Sequence, residues 1–245
     1  MKVYFLGTGT SQGIPVIGSN HSVCKSKDAK DKRLRVSVWI YDENYSFVID
    51  CGPDFRQQML TSGCTKLDSI LFTHEHADHT AGLDDIRPFF FKQGDIPIYA
   101  HKRVIENLKK RFDYIFEIEN KYPGAPEVKK NIITKNVPFQ WGEKYILPIE
   151  VMHGSLPVLA FRFGSLAYVT DVNYISPASM RQLEDLDYLI LGVLQPHSHY
   201  SHFNVEEGLQ VIETLKPKQA KSFNSSRVIG PVVSWLPTVV IFGSQ

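Results

Sequence analysis

Alternating and continuous apolar stretches divide the chain into a series of short elements. Residues 2–6 read as a strand that ends in the turn Gly7-Thr8-Gly9-Thr10. Residues 36–41 and 46–49 alternate or run apolar on either side of Asp42-Glu43-Asn44, which predicts a hairpin. Asp50-Cys51-Gly52-Pro53 closes that hairpin. Asp54 then reads as the cap of a helix that Gly63 ends. The apolar run Ile70-Leu71-Phe72 predicts a buried strand, and residues 80–86 the start of a helix. Downstream come a strand over 96–100, helical spacing with a basic face over 102–116, and a loop over 120–126. Strands follow over 131–141 and 145–151, then a hairpin from 158–163 and 166–170. A helix near 176–184, a strand over 188–194 and a helix over 205–215 complete the series.

The length of 245 residues fits one large α/β domain or two small ones, and we expect a single domain. A hydrophobic content of 43% supplies a sizeable core. The net charge of +1 argues for no particular partner. Cys24, Cys51 and Cys64 have spacings that suggest no disulfide framework. After Lys2 only Val3-Tyr4-Phe5-Leu6 precedes a glycine, far too short for the apolar part of a signal peptide. No run approaches the roughly 20 apolar residues of a membrane span. The expectation is a cytoplasmic protein with no membrane partner, which disfavours a secreted antibiotic-destroying role.

Chemistry concentrates in Thr73-His74-Glu75-His76-Ala77-Asp78-His79, between the strand at 70–72 and the helix expected at 80. In an extended or turning segment His74 and His76 point the same way, while Asp78 and His79 address a second point. Two nitrogens for one cation and an oxygen with a nitrogen for another suit a pair of metal ions. Imidazole with carboxylate fits zinc, manganese or iron. The stretch is not the helical zinc-protease motif, because Asp78 stands four residues after His74, where that motif needs a histidine. A merely histidine-rich surface loop is the bland alternative.

Other segments leave alternatives open. The glycine spacing in 7–13 is wrong for a dinucleotide fingerprint, and Ile14-Pro15-Val16 follows in place of a helix, so a tight turn is favoured. Residues 18–35 carry six lysines and arginines against Asp28 and Asp31. They read as a solvated loop or as one that draws in an anionic substrate. Ser19, His21 and Cys24 have the spacing of a small metal knuckle in which one position is serine, so no structural zinc is expected there. Asp50 is either a turn aspartate or a brace for a metal-bound histidine. A second cluster, His197, His199 and His202, precedes the helix at 205. His202, placed beside that helix, is the candidate to protonate a leaving group. His197 and His199 read as loop histidines.

The run His74-x-His76-x-Asp78-His79 after a strand resembles the signature of the metallo-β-lactamase fold superfamily. Gly7-Thr8-Gly9-Thr10, Asp50 to Phe55, His153, Thr170-Asp171 and His199-Tyr200-Ser201-His202 extend that resemblance over roughly 1–220. They point to its PhnP-type branch of cyclic-phosphate phosphodiesterases, related to ribonuclease Z. The resemblance implies a four-layer αββα sandwich of the α/β (α+β) class. It implies metal ligands His74, His76, Asp78, His79 and His153, with Asp171 as the bridge between two divalent ions, zinc or manganese. It departs at residues 221–245, which hold no Asp or Glu and no histidine, where the family supplies a further ligand. That atypical tail is either altered, as by a shift of reading frame, or native with the second ion held weakly or not at all.

The implied reaction is hydrolysis of a small phosphodiester, cyclic ones included. Two ions roughly 3.5–4 Å apart share a water and lower its pKa. Asp78 orients the resulting hydroxide and His202 protonates the departing alkoxide. The expected partners are that small substrate and a second copy of the chain. Nucleic acid, as in ribonuclease Z, is the alternative ligand. Thioester hydrolysis and a non-catalytic fold with an incomplete centre are the other rivals.

Overall fold

A computed structural model of the chain describes residues 1–117, 119, 121–223 and 239–241. They form two compact units, Met1–Ile133 with the strand at 239–241, and a second that begins at Thr134.

In the first unit β1 (Lys2–Gly7) buries Val3, Phe5 and Leu6. A single turn α1 (Ser22–Lys25) follows, capped by His21, whose Nδ1 accepts from the Val23 amide at 3.3 Å. β2 (Ser37–Tyr41) and β3 (Ser46–Ile49) make the expected hairpin, in register from Val38↔Ile49 to Tyr41↔Ser46. The Asp42 carboxylate accepts from the amides of Asn44 and Tyr45, which closes the turn. α2 (Phe55–Ser62) ends at Gly63, whose φ of 69° is the left-handed stop the sequence predicts. Asp54 does not cap that helix. Its carboxylate takes the Arg35 amide at 2.8 Å and the Arg35 guanidinium at 2.9 Å, because a charged partner outcompetes the helix amides. The basic segment is thus pinned at Arg35 to the start of α2.

β4 (Ser69–Leu71) leads into the histidine stretch. Helical structure starts earlier than expected, with α3 (Ala77–Thr80) inside that stretch, followed by a 3-10 turn Leu83–Ile86. α4 (Arg87–Gln93) has no counterpart in the sequence reading; Pro88 sits in its first turn, where a missing amide costs nothing. Then come β5 (Ile96–Ala100), α5 (Lys102–Arg111), α6 (Asp113–Phe116) and β6 (Val128–Ile132). β3, β4, β5 and β6 are parallel. Leu67, Ile70, Phe72, Leu83, Ile86 and Ile98 are fully buried in the core on this sheet.

The strand expected over 131–141 is two. β6 stops at Ile132 and β7 (Phe139–Trp141) begins the second unit. Between them Asn136 has a φ of 61°, and Pro138 has no amide to give a ladder. β8 (Lys144–His153), β9 (Leu156–Phe163) and β10 (Leu166–Val169) form an antiparallel meander with β7. After α7 (Pro177–Arg181), β11 (Tyr188–Gly192) lies parallel to β10. α8 (Val205–Leu215) starts where the sequence places it. A capping box fixes that start: the Glu207 amide donates to Asn204 Oδ1 at 2.9 Å, and the Asn204 amide to Glu207 Oε2 at 2.8 Å. β12 (Gln219–Phe223) adds a parallel edge to β11. Ile149, Val151, Val169, Leu183, Leu189 and Leu191 lie in the core of this unit.

The last described strand, β13 (Val239–Ile241), belongs to the first unit and pairs antiparallel with β1. The first unit therefore holds a seven-stranded sheet ordered β13-β1-β2-β3-β4-β5-β6, and the second a six-stranded sheet ordered β12-β11-β10-β9-β8-β7. This mixed α/β architecture of two sheets with helices is that of the expected fold class. The reading of 221–245 as atypical falls, for 224–238 and 242–245, outside the described residues. No described helix is long and apolar enough to cross a membrane.

Candidate metal centre

Adjacent parallel strands bring the first group of ligands together. β3 and β4 run side by side with Ile49 opposite Leu71, so the residues leaving their carboxyl ends meet. Asp50 leaves β3 with a φ of 65° and is fully buried. Its carboxylate accepts three bonds from the histidine stretch. The Thr73 amide donates to Oδ1 at 2.9 Å; the Thr73 hydroxyl at 2.8 Å and His79 Nδ1 at 2.7 Å both donate to Oδ2. Of the two roles open to Asp50, the brace is the one its contacts fit. Burial pushes its carboxyl above the ordinary range, and the His79 ring beside it pulls the other way.

Those bonds dictate the tautomers. A carboxylate accepts only, so His79 carries its proton on Nδ1 and presents the Nε2 lone pair. The Thr73 hydroxyl spends its proton on Asp50, so its oxygen accepts from His74 Nδ1 at 2.9 Å, and His74 also presents Nε2. His74 Nε2 lies 2.9 Å from His76 Nδ1, and His79 Nε2 lies 3.3 Å from Asp78 Oδ2. Two ligands bound tetrahedrally at 2.0–2.1 Å to one ion stand about 3.3 Å apart, which the Asp78–His79 spacing matches and the 2.9 Å between His74 and His76 falls short of by a few tenths. The spacing pairs His74 with His76 and Asp78 with His79; in the structure the His74 ring neighbours both other histidines, 4.6 Å from that of His76 and 4.2 Å from that of His79. Asp78 and His79 reach their places from the first turn of α3 rather than from an irregular turn.

Two glycines let the braced turn approach this closely. A Cβ on Gly52 would stand 2.0 Å from the Asp78 carbonyl oxygen, and one on Gly82 would stand 2.1 Å from the Gly52 carbonyl oxygen. The Cys51 amide donates to the His79 carbonyl at 2.8 Å, and the Gly82 amide to the Cys51 carbonyl at 2.9 Å. Gly52→Ala must therefore push backbone against backbone. The expected loss is about 3 kcal/mol, at the upper end for overpacking, and a Tm lower by roughly 6–12 °C. Thermal unfolding followed by circular dichroism measures it, and an unchanged Tm would contradict the close approach.

The second unit gathers its own donors in the same way. His153 ends β8, Asp171 leaves β10 with a φ of 47°, and His202 lies in the loop between β11 and α8. One ligand atom from each of His153, Asp171 and His202 lies within 4.8 Å of the others. His153 Nδ1 donates to the Ser201 carbonyl at 2.8 Å, which again turns Nε2 outward, 4.0 Å from Asp171 Oδ2. The His153 and His202 rings are 4.5 Å apart. His199 is 5.2 Å from the His202 ring, and its Nδ1 accepts from the Ser201 amide, while His197 is exposed. Asn173 ties these loops together: Oδ1 accepts from the Gly154 amide at 2.6 Å and Nδ2 donates to the Tyr200 carbonyl at 3.2 Å. Nothing in the sequence marks Asn173 or Thr73 for these tasks, since each contact depends on a distant backbone.

Ser19, His21 and Cys24 serve local structure. Ser19 Oγ accepts from the His21 amide, His21 caps α1, and Cys24 Sγ accepts from the Val16 amide.

Residues 45–222 match the family described as beta-lactamase superfamily domain. An octanoyltransferase of Porphyromonas gingivalis is 37% identical over 214 residues, which is 86% of this chain and 43% of that protein. A ribonuclease Z of Bacillus licheniformis is 27% identical over 167 residues, 66% of this chain and 48% of that protein. The chain spans about half the length of these curated relatives. Among solved structures, a diphosphatase from the PhnP family superposes with a TM-score of 0.84 at 36% identity, over 91% of this chain and 85% of that one. With the histidine signature in place on the fold it requires, the chain belongs to the β-lactamase superfamily, as a metallo-β-lactamase-fold protein of the PhnP-type branch.

Proposed function

We propose that this chain is a metal-dependent hydrolase of small phosphodiesters or diphosphates. Its divalent ions, zinc or manganese, would be held by His74, His76, Asp78 and His79 in the first unit, and His153 and Asp171 offer donors in the second. The observation that carries the reading is the Asp50–Thr73–His74 and Asp50–His79 bonding, which turns two buried imidazoles into neutral donors with fixed lone pairs. The diphosphatase relative supports a phosphorus substrate. More than half of the octanoyltransferase lies outside its match, and acyl transfer forms no part of the proposal.

When bound, such ions supply Lewis acidity towards a phosphoryl oxygen and towards water. The protein's own residues do the rest. Asp78 orients the attacking water and takes its proton. As the new P–O bond forms, the bond to the leaving oxygen breaks, and His202 gives that oxygen a proton. Phosphodiesters and diphosphates both leave through a bridging oxygen, so one arrangement serves either.

A substrate panel tests this. Zinc- and manganese-loaded protein is assayed on a nitrophenyl phosphodiester, a nucleoside cyclic phosphate, an asymmetric diphosphate, a glutathione thioester and a precursor tRNA. Turnover of the small phosphorus substrates, lost on chelation and restored by the ion, is the expected result. Activity confined to the thioester or to the tRNA would overturn the small-phosphodiester reading.

A further inference from the structure

Helix α5 packs through Val104, Ile105 and Leu108, all buried, and the rest of its surface is mostly basic, with Glu106 its one acid. Such a face is ordinarily solvated, yet two of its arginines turn to the histidine stretch. Arg103 and Arg111 are eight residues apart, about 12 Å along a helix, and they grip the stretch at separate points. Arg103 Nε lies 2.8 Å from Glu75 Oε1. Arg111 Nη1 donates to the Glu75 carbonyl at 3.2 Å and to Thr80 Oγ1 at 2.6 Å. The Thr80 hydroxyl, fully buried, passes its own proton to the His76 carbonyl at 2.8 Å. Both peptide groups that flank His76 are therefore tied, directly or through Thr80, to one helix docked in the core.

We propose that Arg103, Glu75, Arg111 and Thr80 act as positioning residues that preorganise the metal-binding stretch. The inference rests on the reading that His74, His76, Asp78 and His79 bind divalent ions. His74 Nε2 and His76 Nδ1 are within hydrogen-bond reach at 2.9 Å and His79 Nε2 lies 3.3 Å from Asp78 Oδ2, contacts that a cation must replace without the ligands drifting apart. A backbone held from outside keeps them in place, so that little ordering remains to be done on binding. A guanidinium suits this task because its planar group holds the two N–H bonds of Nη1 in fixed directions, whereas the donors of an ammonium rotate on a flexible stem. The carboxylate of Glu75, paired with Arg103, offsets a positive charge that otherwise opposes a cation.

The test is metal affinity, read by zinc and cobalt titration against a chromophoric chelator, with the visible spectrum of the cobalt form recorded alongside. The proteins are wild type, Arg111→Ala, Arg111→Lys and Thr80→Val. Arg111→Ala and Thr80→Val are expected to bind the first ion about 10–100-fold more weakly, with altered cobalt bands. Arg111→Lys is expected to recover less than half of that loss on a logarithmic scale. Ion-free Tm values within a few degrees of wild type separate positioning from unfolding. If Arg111→Ala alone unfolds, Thr80→Val decides. Affinities within twofold of wild type and an unchanged cobalt spectrum in Thr80→Val would overturn the inference while the metal reading stands. A wild-type protein that binds no ion overturns both.

Discussion

His74→Ala is expected to bring metal-dependent hydrolysis down to background. His74 is fully buried, its Nε2 stands 2.9 Å from His76 Nδ1, and its ring lies 4.2 Å from that of His79. Alanine removes one donor of the pair and leaves the Thr73 hydroxyl without the imidazole proton it accepts. Elemental analysis should show about two equivalents of metal in wild type and one or fewer in the variant. A second readout is thermal. An ion at 100 times its Kd adds about 2.7 kcal/mol to the folded state, or roughly 5–11 °C in Tm for a domain of this size. Wild type should show that rise on metal addition and His74→Ala should lack most of it. Unchanged turnover in a folded His74→Ala protein removes the site assignment altogether.

Asp50→Ala is expected to be nearly as severe without touching a ligand. The carboxylate is the common acceptor for the Thr73 amide, the Thr73 hydroxyl and His79 Nδ1, all in a buried setting. Each donor left unmet costs about 1–3 kcal/mol, and the Thr73 amide, the Thr73 hydroxyl and His79 Nδ1 all lose their acceptor. These overlap, so about 4 kcal/mol is the expected loss of stability. Metal affinity should fall at least 100-fold, since loss of one outer contact alone is worth about 10–100-fold and here two histidines lose their tautomer control. Asp50→Asn separates the two effects. Asparagine accepts a φ of 65° readily and keeps the shape, so most of the fold's stability should return. Its amide has one acceptor oxygen in place of two, so His79 or Thr73 is left facing an NH2 group and metal affinity should stay low. Chemical denaturation and competitive metal titration on both variants check this; an Asn variant with wild-type affinity would show that the tautomers are not set from Asp50.

The legible and illegible parts of this chain divide along a physical line. What depends on neighbours in sequence is readable: the hairpin around Asp42, the Gly63 stop and the start of α8 at its capping box. What depends on distant partners is not. Asp54 looks like a helix cap, but Arg35 takes its carboxylate from 19 residues away. Asp50 is ambiguous between turn and brace until β4 is seen beside β3. The stretch over 131–141 has strand-like composition throughout, and only Asn136 and Pro138 betray the break. Arg111 reads as one more charge on a solvated helix, because nothing local reveals that Thr80 lies beneath it. His202 is a candidate from its place before α8 alone, whereas its neighbourhood with His153, at the end of β8, and Asp171, after β10, depends on segments distant in sequence.

The pairing of β13 with β1 sets an order of events during synthesis. Lys2 stands opposite Ile241, so β1 receives its outer neighbour from a strand synthesised 239 positions later. At about 5–20 residues per second, roughly 10–50 s separate the two. Through that interval one side of β1 presents unpaired amides and carbonyls, an edge open to other chains. Growing polypeptides of this protein should therefore depend on a chaperone until β13 emerges, and chains stopped short of residue 239 should aggregate through the open edge of β1.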